Sequence, residues 1–380
     1  MDAGPAGDGV STPIAMDADA NMHVAGLLRD LAETQSDPRR AWGYKQAAHA
    51  ILALDEPIEQ LVQPDGTLAR IARVGPSSTR VVQEVLATGA SALVERAVDA
   101  SGRRAEVERR RGLRAHFLSR ARARLVNGDE RLGGPRLADY RGDLQMHSTW
   151  SDGSQTLEQI VEAGRAHGYA FSAVTDHSGG LPIANGLSPA RFAEQRVEID
   201  RLNDEGDGSF RLLAGVEANI RADGSVDIEP EDRVRFDIVV AAPHAVLRSA
   251  ADQTARMLAA VTAPGVHVLG HPRGRMYGSR PGVAADWPRV FAAAASSGVA
   301  IEIDGDPSRQ DLDFTLAREA AAAGCLIALD TDAHAVSQWR YAEIAVAHAR
   351  LAGVDPARVI NTWPLDRLLE WAGRRQQGRA

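Results

Sequence analysis

Lysine is almost missing from this chain. Lys45 is the only one among 43 basic residues, so nearly every fixed positive charge is a guanidinium. Beside so much alanine, that bias reads as genomic composition rather than function. Cysteine is as scarce: Cys325 stands alone, which excludes an internal disulfide and suits a reducing compartment, so a cytoplasmic location is expected. No run of about 18 apolar residues occurs, and no membrane-spanning helix is expected. The formal net charge is −8, which argues against a cationic coat for nucleic acid. Residues 1–20 are rich in Gly, Ala and Asp and lack the basic segment of a signal peptide, so they read as a disordered tail. A chain of 380 residues has room for one large core and a smaller one.

What is present changes character along the chain. Residues 21–99 carry helical spacing throughout, as in Val24, Leu27, Leu28 and Leu31. The stretch "LARIARVGPSSTRVVQEVLATG" predicts a helix, a tight turn at Val74-Gly75-Pro76-Ser77 and a second helix closed by Gly89. Residues 100–140 read as a basic helix over 103–126 followed by a linker; residues 103–141 hold twelve Arg against five acids. From 141 to 380 short β-rich runs alternate with helical ones: "DLQMHS", "FSAVTDH", "RLLAGVEANI", "FDIVVAAPH", "VHVLGHP", "VAIEIDG" and "LIALDTDAH". Seven strands mostly followed by helices argue for a parallel sheet covered on both faces, and the length favours a barrel over an open sheet.

The informative residues sit where those strands end. His147 and Asp152 follow the first, Asp176 and His177 the second, Glu217 the third, His244 the fourth and His271 the fifth. Glu302 and Asp304 lie at the sixth; Asp332 and His334 close the seventh. In a barrel of parallel strands all carboxyl ends share one face, so these side chains converge. A single histidine at a strand end is more often a structural residue; five of them with several carboxylates make a metal cluster the better reading. His23, His49, His116, His167 and His348 fall on helical stretches and are expected at the surface, whereas His267 alternates with apolar residues and is expected in the core. Imidazole and carboxylate together suit zinc, manganese or iron. More than four ligands imply two or three ions, with Glu217 the natural bridging carboxylate. Such a cluster polarises a phosphoryl oxygen and activates water for in-line attack. Cys325 is expected as a packed thiol, and "RVGPSS" is too short for a phosphate-binding P-loop.

On the stretches "GDLQMHSTWSDG", "AVTDHS", "GVEANI", "AAPHAVL", "LGHPRGR", "IEIDGDPSRQDLD" and "DTDAH", residues 141 to about 370 resemble the PHP (polymerase and histidinol phosphatase) superfamily, most closely the PHP domain of bacterial family X DNA polymerases. The resemblance implies a distorted seven-stranded β/α barrel, similar to a TIM barrel, with three metal ions. One ion would take Gln145, His147, Glu217 and Asp332, a second Glu217, His244 and His271, and a third Asp152, His177 and His334. Gln145 stands where the family has a histidine, and a neutral amide oxygen is a weaker ligand. Residues 21–95 resemble the helix-hairpin-helix domain of the same polymerases, on "GYKQAAHAI" and the hairpin stretch above. Arg73 replaces the hairpin's first glycine, and Val81 stands where lyase versions carry their Schiff-base lysine.

The expected function is therefore a metal-dependent phosphoesterase acting on DNA ends, as a 3′–5′ exonuclease or 3′-phosphatase of a DNA-repair kind. Residues 21–125 would hold DNA without regard to sequence. Asp176 is expected in a catalytic or ligand-orienting role, Arg273 and Arg275 as clamps on the substrate phosphate, and Trp150 as a platform for a terminal base. Some forty residues between the two domains leave no room for a polymerase palm. The alternatives are a small-molecule phosphatase of histidinol-phosphate type, taking a small phosphomonoester, and a non-enzymatic DNA-binding protein with a relic metal site.

Overall fold

A computed structural model of the chain describes residues 19–377. The expected tail, residues 1–20, falls almost wholly outside them. The chain divides into two compact units that meet at Gly102 and Arg103.

The first unit is helical: α1 Ala20–Thr34, α2 Pro38–Leu52, α3 Pro76–Thr88 and α4 Ala92–Ser101. Local chemistry sets the ends. Asp19, Asp37 and Ser91 cap α1, α2 and α4 with side-chain oxygens, and Pro76 opens α3 where no amide hydrogen is needed. Gly89 closes α3 in the left-handed region, as its position in the sequence implied. Buried Asn21 ties α1 to the turn after α2: its amide reaches Glu56 O at 3.1 Å and its oxygen accepts Ile58 N–H at 2.7 Å. Arg73 occupies the left-handed region at φ 65°, the conformation for which glycine is the low-cost residue. Val81 is fully buried in the core of this unit.

The second unit begins with two helices, α5 Arg104–Gly112 and α6 Arg120–Gly128. The expected continuous basic helix is thus broken at 113–119, where His116 turns left-handed and Ser119 caps a new start. Nor is the stretch a free linker. Leu118, Ala123 and Val126 pack against Ile344 and Ala347, the Gln310 side-chain amide bonds both the N–H and the carbonyl of Leu118, and Arg350 holds the carbonyls of Val126, Asp129 and Leu132.

The remainder alternates helix and strand: α7 Leu157–His167, β1 Phe171–Val174, α8 Pro189–Asp204, β2 Arg211–Asn219, the single turn α9 Pro230–Arg233, β3 Ile238–Ala242, α10 Thr254–Thr262 and β4 Val268–Leu269. Then follow α11 Trp287–Ser297, β5 Ala300–Asp304, α12 Phe314–Ala322, β6 Leu326–Asp330, α13 Ala342–Ala352 and α14 Leu365–Gln376. Six strands pair in parallel in chain order, with Glu217 opposite Val240 and Glu302 opposite Ala328 in the register.

The first of the seven expected strands is not a regular one. Residues 143–147 run between β1 and β6 and touch each at a single bridge, Met146 with Val174 and Met146 with Ala333. Carboxylates replace the ladder carbonyls here. Leu144 N–H donates to Asp330 at 2.8 Å, Gln145 N–H to Asp143 at 3.0 Å, and the Thr331 hydroxyl to Asp143 at 2.6 Å. The Leu144 and Gln145 donors are thus satisfied by carboxylates, while His147 N–H donates to Ala333 O at 2.8 Å.

Strand side chains alternate between two faces, and the two faces differ. Outward residues such as Ala241, Ile301 and Leu329 pack under the helices. Inward residues are apolar at the strand starts, where Leu213, Val240 and Ala300 meet Leu368 and Trp371 of α14. Two to four residues further along the same inward rows come Glu217, Glu302, Asp304 and Asp330, all fully buried. Cys325, just ahead of β6, is a packed thiol donating to Phe291 O, and burial pushes it up to about 12. Among the described residues no helix is long and apolar enough to cross a membrane.

Candidate metal centre

Parallel pairing brings the strand ends together, and Glu217 at the end of β2 is the hub. Its Oε1 lies 2.9 Å from His271 Nε2 and 3.1 Å from His244 Nε2. Its Oε2 lies 3.1 Å from His177 Nδ1 and 3.4 Å from His147 Nε2. His147 Nε2 is also 3.0 Å from Asp332 Oδ1. Asp152, exposed, brings Oδ1 to 3.7 Å from His177 Nε2 and Oδ2 to 3.5 Å from His334 Nε2. The His147 ring stacks on that of His177 at 4.3 Å.

Three sets of ligand atoms cluster within 4.8 Å: His147, Asp152, His177 and His334; His177, Glu217 and His244; and His147, Glu217 and Asp332. The grouping differs in detail from the one the resemblance implied. His177 joins the second set, and His147 serves two sets through its two nitrogens. His271 reaches the cluster through Glu217.

The residues fit metal ions. Buried polar atoms in folded proteins are nearly always partnered. Here Gln145 Oε1 and Nε2, His147 Nδ1, His177 Nδ1, Glu217 Oε2, His244 Nε2 and His271 Nδ1 are buried without a hydrogen-bond partner. Borderline nitrogen and carboxylate donors in that number are what zinc, manganese or iron would satisfy. Gln145 is fully buried and faces Gly270, where an added Cβ would stand 3.1 Å from Gln145 Oε1. His271 and Asp332 hold left-handed backbone at φ 21° and 48°, strain of the sort that gathers at working sites.

Electrostatics separate two layers. Burial pushes Glu217 up, but His177 and His244 overcome it and hold the carboxyl well below its usual range. Burial pulls His177 down to about 4. Burial also opposes charge on His334, yet Asp152 and Asp332 hold it up at about 9. Deeper in the barrel, burial and mutual repulsion push Asp143, Glu302 and Asp304 well above the usual carboxyl range, and burial takes Asp330 to about 6. Those inner carboxyls lie beneath the ligand layer, where Glu302 accepts His271 N–H.

Around the ligands, Asp176 is a staple. Its two oxygens accept Ser148 N–H at 2.8 Å, Ser148 Oγ–H at 2.6 Å, Gln195 Nε2–H at 2.5 Å and the Ser151 hydroxyl, so it anchors the loop that carries Asp152 and has no oxygen left for a substrate. Arg275 is buried, paired with Asp313 at 2.9 Å and stacked on Phe117 at 3.9 Å, and cannot clamp a substrate. Arg273 shares Asp313 at 3.3 Å. Trp150 is half-buried with the Arg191 guanidinium 5.5 Å from its ring centre, so its face is already covered. His348, expected at the surface, is fully buried between Phe314 N–H and Gln310. His267 is in the core as expected.

Two residues were missed. Asn219 Oδ1 accepts from His244 Nδ1 at 2.7 Å, while its amide donates to Asp227 and Ser178. It stands two residues beyond Glu217, on the same strand face, so the period of two could have found it. Arg309 places Nη2 3.0 Å from Asp332 Oδ2. It lies in an irregular loop, where no periodic signal marks it.

No protein-family model matches the chain. It is 35% identical over 226 residues to the DNA polymerase/3′-5′ exonuclease PolX of Bacillus subtilis, a match covering 59% of this chain and 40% of that one, so the chain spans well under half of that relative. It is 31% identical over 249 residues to a "probable phosphatase" of Citrobacter koseri, covering 62% of this chain and 96% of that one. Among solved structures it matches a histidinol phosphate phosphatase of Lactococcus lactis at 19% identity and a TM-score of 0.44, over 57% of this chain and 95% of that one. With 31% identity over nearly the whole length of the Citrobacter relative, and with His, Glu and Asp clusters that fit metal, the chain belongs to the PHP superfamily of metal-dependent phosphoesterases and is a hydrolase.

Proposed function

We propose that the protein hydrolyses phosphate esters at DNA ends, as a 3′–5′ exonuclease or 3′-phosphatase, with two or three zinc, manganese or iron ions. The observation that carries the reading is Glu217, fully buried, with both oxygens facing four imidazoles and no lysine or arginine paired to it. A buried carboxylate so surrounded suits a bridge between cations. Gln145, His147, Asp152, His177, Glu217, His244, His271, Asp332 and His334 would hold the ions, which supply Lewis acidity toward a phosphoryl oxygen and lower the pKa of water. The chain's own residues do the rest. Asn219 sets the His244 ring, Asp176 fixes the Asp152 loop, and Arg309 takes one oxygen of Asp332 and leaves the other toward the ligands.

DNA as substrate is supported by two observations. The Bacillus relative is named an exonuclease as well as a polymerase. In the helical unit, Arg40, Tyr44, Arg73, Ser77 and Ser78 line a cavity of about 490 Å³ at the first turn of α3, where backbone N–H groups and two guanidiniums suit a strand phosphate. Polymerisation is not part of this reading, since residues 103–140 are short helices packed on the barrel.

A second reading, a phosphatase of small phosphomonoesters, is favoured by the Citrobacter relative, 96% of which the chain covers. A panel with added Mn²⁺ or Zn²⁺ decides: single-stranded DNA, a 3′-phosphorylated oligonucleotide, histidinol phosphate and p-nitrophenyl phosphate. Turnover of the DNA substrates at the higher kcat/KM is expected. Turnover of the small monoesters alone moves the function to the second reading. Less than one ion per chain with no turnover of any substrate leaves a relic site.

A further inference from the structure

We propose that Arg248 and Arg280 form a second anion site on the rim of the barrel mouth, which takes another phosphate of the substrate while the first lies at the metal centre. The proposal rests on the phosphoesterase reading above for the first phosphate, and on separate residues for the second.

The two arginines stand on the loops that leave the ligand strands. Arg248 is four residues beyond His244, and Arg280 nine beyond His271. Arg248 reaches the loop that carries Arg280, and its charge is felt there. Arg248 Nη1 donates to Ser279 O at 2.9 Å, next to Arg280, and Arg280 Nε donates to Gly274 O at 2.7 Å. The loop carrying Arg280 is strapped to the loop carrying Arg309: Tyr277 N–H donates to Ser308 O at 2.8 Å and Arg275 Nε to Arg309 O at 3.0 Å. Arg309 in turn reaches Asp332 at the cluster. Three guanidiniums therefore lead outward from the metal centre.

Their charge is not balanced within the protein. Arg309 is paired with Asp332, but among the described residues neither Arg248 nor Arg280 has a carboxylate within ion-pair distance. Both take only neutral oxygens, and among the described residues the two Nη groups of Arg280 donate to nothing. Burial, with the nearby charges of Arg309 and Arg248, lowers Arg280 from its ordinary value, opposed by Asp311. Arginine does not shed its proton at working pH, so such a group is relieved by an anion rather than by titration. Beside it, Arg248, Arg273, Val283 and Trp287 line an open cavity of about 510 Å³, roomy enough for a phosphate with its sugar. Planar donors on adjacent loops, one exposed and one half-buried, match a phosphate oxygen pair. The anion is a second phosphate of the substrate: an internal diester of a strand, or the other phosphate of a small bisphosphate.

The test compares the full chain with the Arg248→Ala/Arg280→Ala double variant on three Mn²⁺-supplemented substrates: p-nitrophenyl phosphate, thymidine 3′,5′-bisphosphate and a 3′-phosphorylated oligothymidylate. The variant is expected to lose about tenfold in kcat/KM on the oligonucleotide, through KM, and to stay within about twofold on p-nitrophenyl phosphate. An equal loss on the bisphosphate assigns the site to any second phosphate; a loss on the oligonucleotide alone assigns it to a strand diester. Unchanged kinetics on both two-phosphate substrates, or an equal loss on p-nitrophenyl phosphate, overturns the proposal. Calorimetric titration of both proteins with thymidine 3′,5′-bisphosphate separates this from the wider reading. If the wild type turns over nothing yet binds the bisphosphate more tightly than the variant, the anion site stands and the phosphoesterase reading falls. Equal binding or none, without turnover, sinks both.

Discussion

Asn219 Oδ1 lies 2.7 Å from His244 Nδ1, and that contact leaves His244 Nε2 facing Glu217 Oε1 at 3.1 Å. The neutral ring must therefore carry its proton on Nδ1 and present Nε2 as the donor atom. Asn219 is itself fixed by Asp227 and Ser178, so the orientation is inherited from three residues that touch no ligand atom of Glu217. Replacing Asn219 by alanine is expected to weaken metal retention by about 10- to 100-fold with the fold intact. Equilibrium competition with a chelator measures this, and retention equal to wild type would show that His244 needs no such guide.

Glu217→Gln keeps the shape of the hub and removes its charge. Four imidazoles then face a neutral amide, and metal content is expected to fall with hydrolysis lost, while the circular dichroism spectrum stays that of wild type. Asp332→Ala and His271→Ala are expected to abolish hydrolysis in the same way. A Glu217→Gln protein that keeps its full metal load would remove Glu217 from the bridging role.

Gln145→His supplies the stronger ligand at a fully buried position whose amide has no other partner. Tighter metal retention is expected, read as a lower fraction of ion lost on dialysis. Gly270 sets the limit on space, since even a Cβ there would stand 3.1 Å from Gln145 Oε1. Metal content unchanged by the substitution would take position 145 off the ligand set.

Two histidines far from the ligands give stability a pH dependence. His267 Nδ1 accepts Val239 N–H and His348 Nδ1 accepts Phe314 N–H, so a proton on either would set two donors against each other. Burial lowers His267 from 6.5 to about 4 and His348 to about 3. Both folded values lie below the unfolded one, so the unfolded chain binds more protons, and stability is full above pH 6.5 and lost as pH falls toward 4. His267 alone accounts for about 3 kcal/mol over that interval. Urea midpoints of metal-free protein between pH 7 and pH 4 measure the slope, and His267→Gln is expected to flatten it.

Arg73→Gly addresses the helical unit. A non-glycine residue in left-handed backbone costs about 1 kcal/mol. The side chain returns little, as its bond to Gln46 Oε1 at 2.9 Å is exposed. A rise in the midpoint of the helical transition on chemical unfolding is expected; a fall would mean that the exposed bond outweighs the strain.

The convergence of these side chains could be read from sequence because parallel strands allow only one arrangement of their carboxyl ends. Once the runs ending at His177, Glu217, His244 and His271 are strands, their convergence follows. Arg275 could not be read, because its fate depends on Asp313 and Phe117, remote in sequence and met only through packing. His348 deceived for a similar reason. It stands on a helix, but on a face that α6 and the Gln310 loop enclose, and helical spacing does not tell which side another helix will cover. Residues 143–147 alternate like a strand, yet Asp330 and Asp143 take the amides a partner strand would have taken. The break at 113–119 turns on a left-handed His116, a conformation with no sequence mark when the residue is not glycine.

The closure of the barrel at Met146 has one more consequence. The ring is sewn shut beside the cluster, with His147 on one lip of the seam and Asp332 and His334 on the other. A polypeptide halted short of Asp332 would possess most of the imidazoles and no complete pocket for them. The pocket is thus whole only where the chain just past the last strand meets the first segment, and parting that join would separate His147 from Asp332.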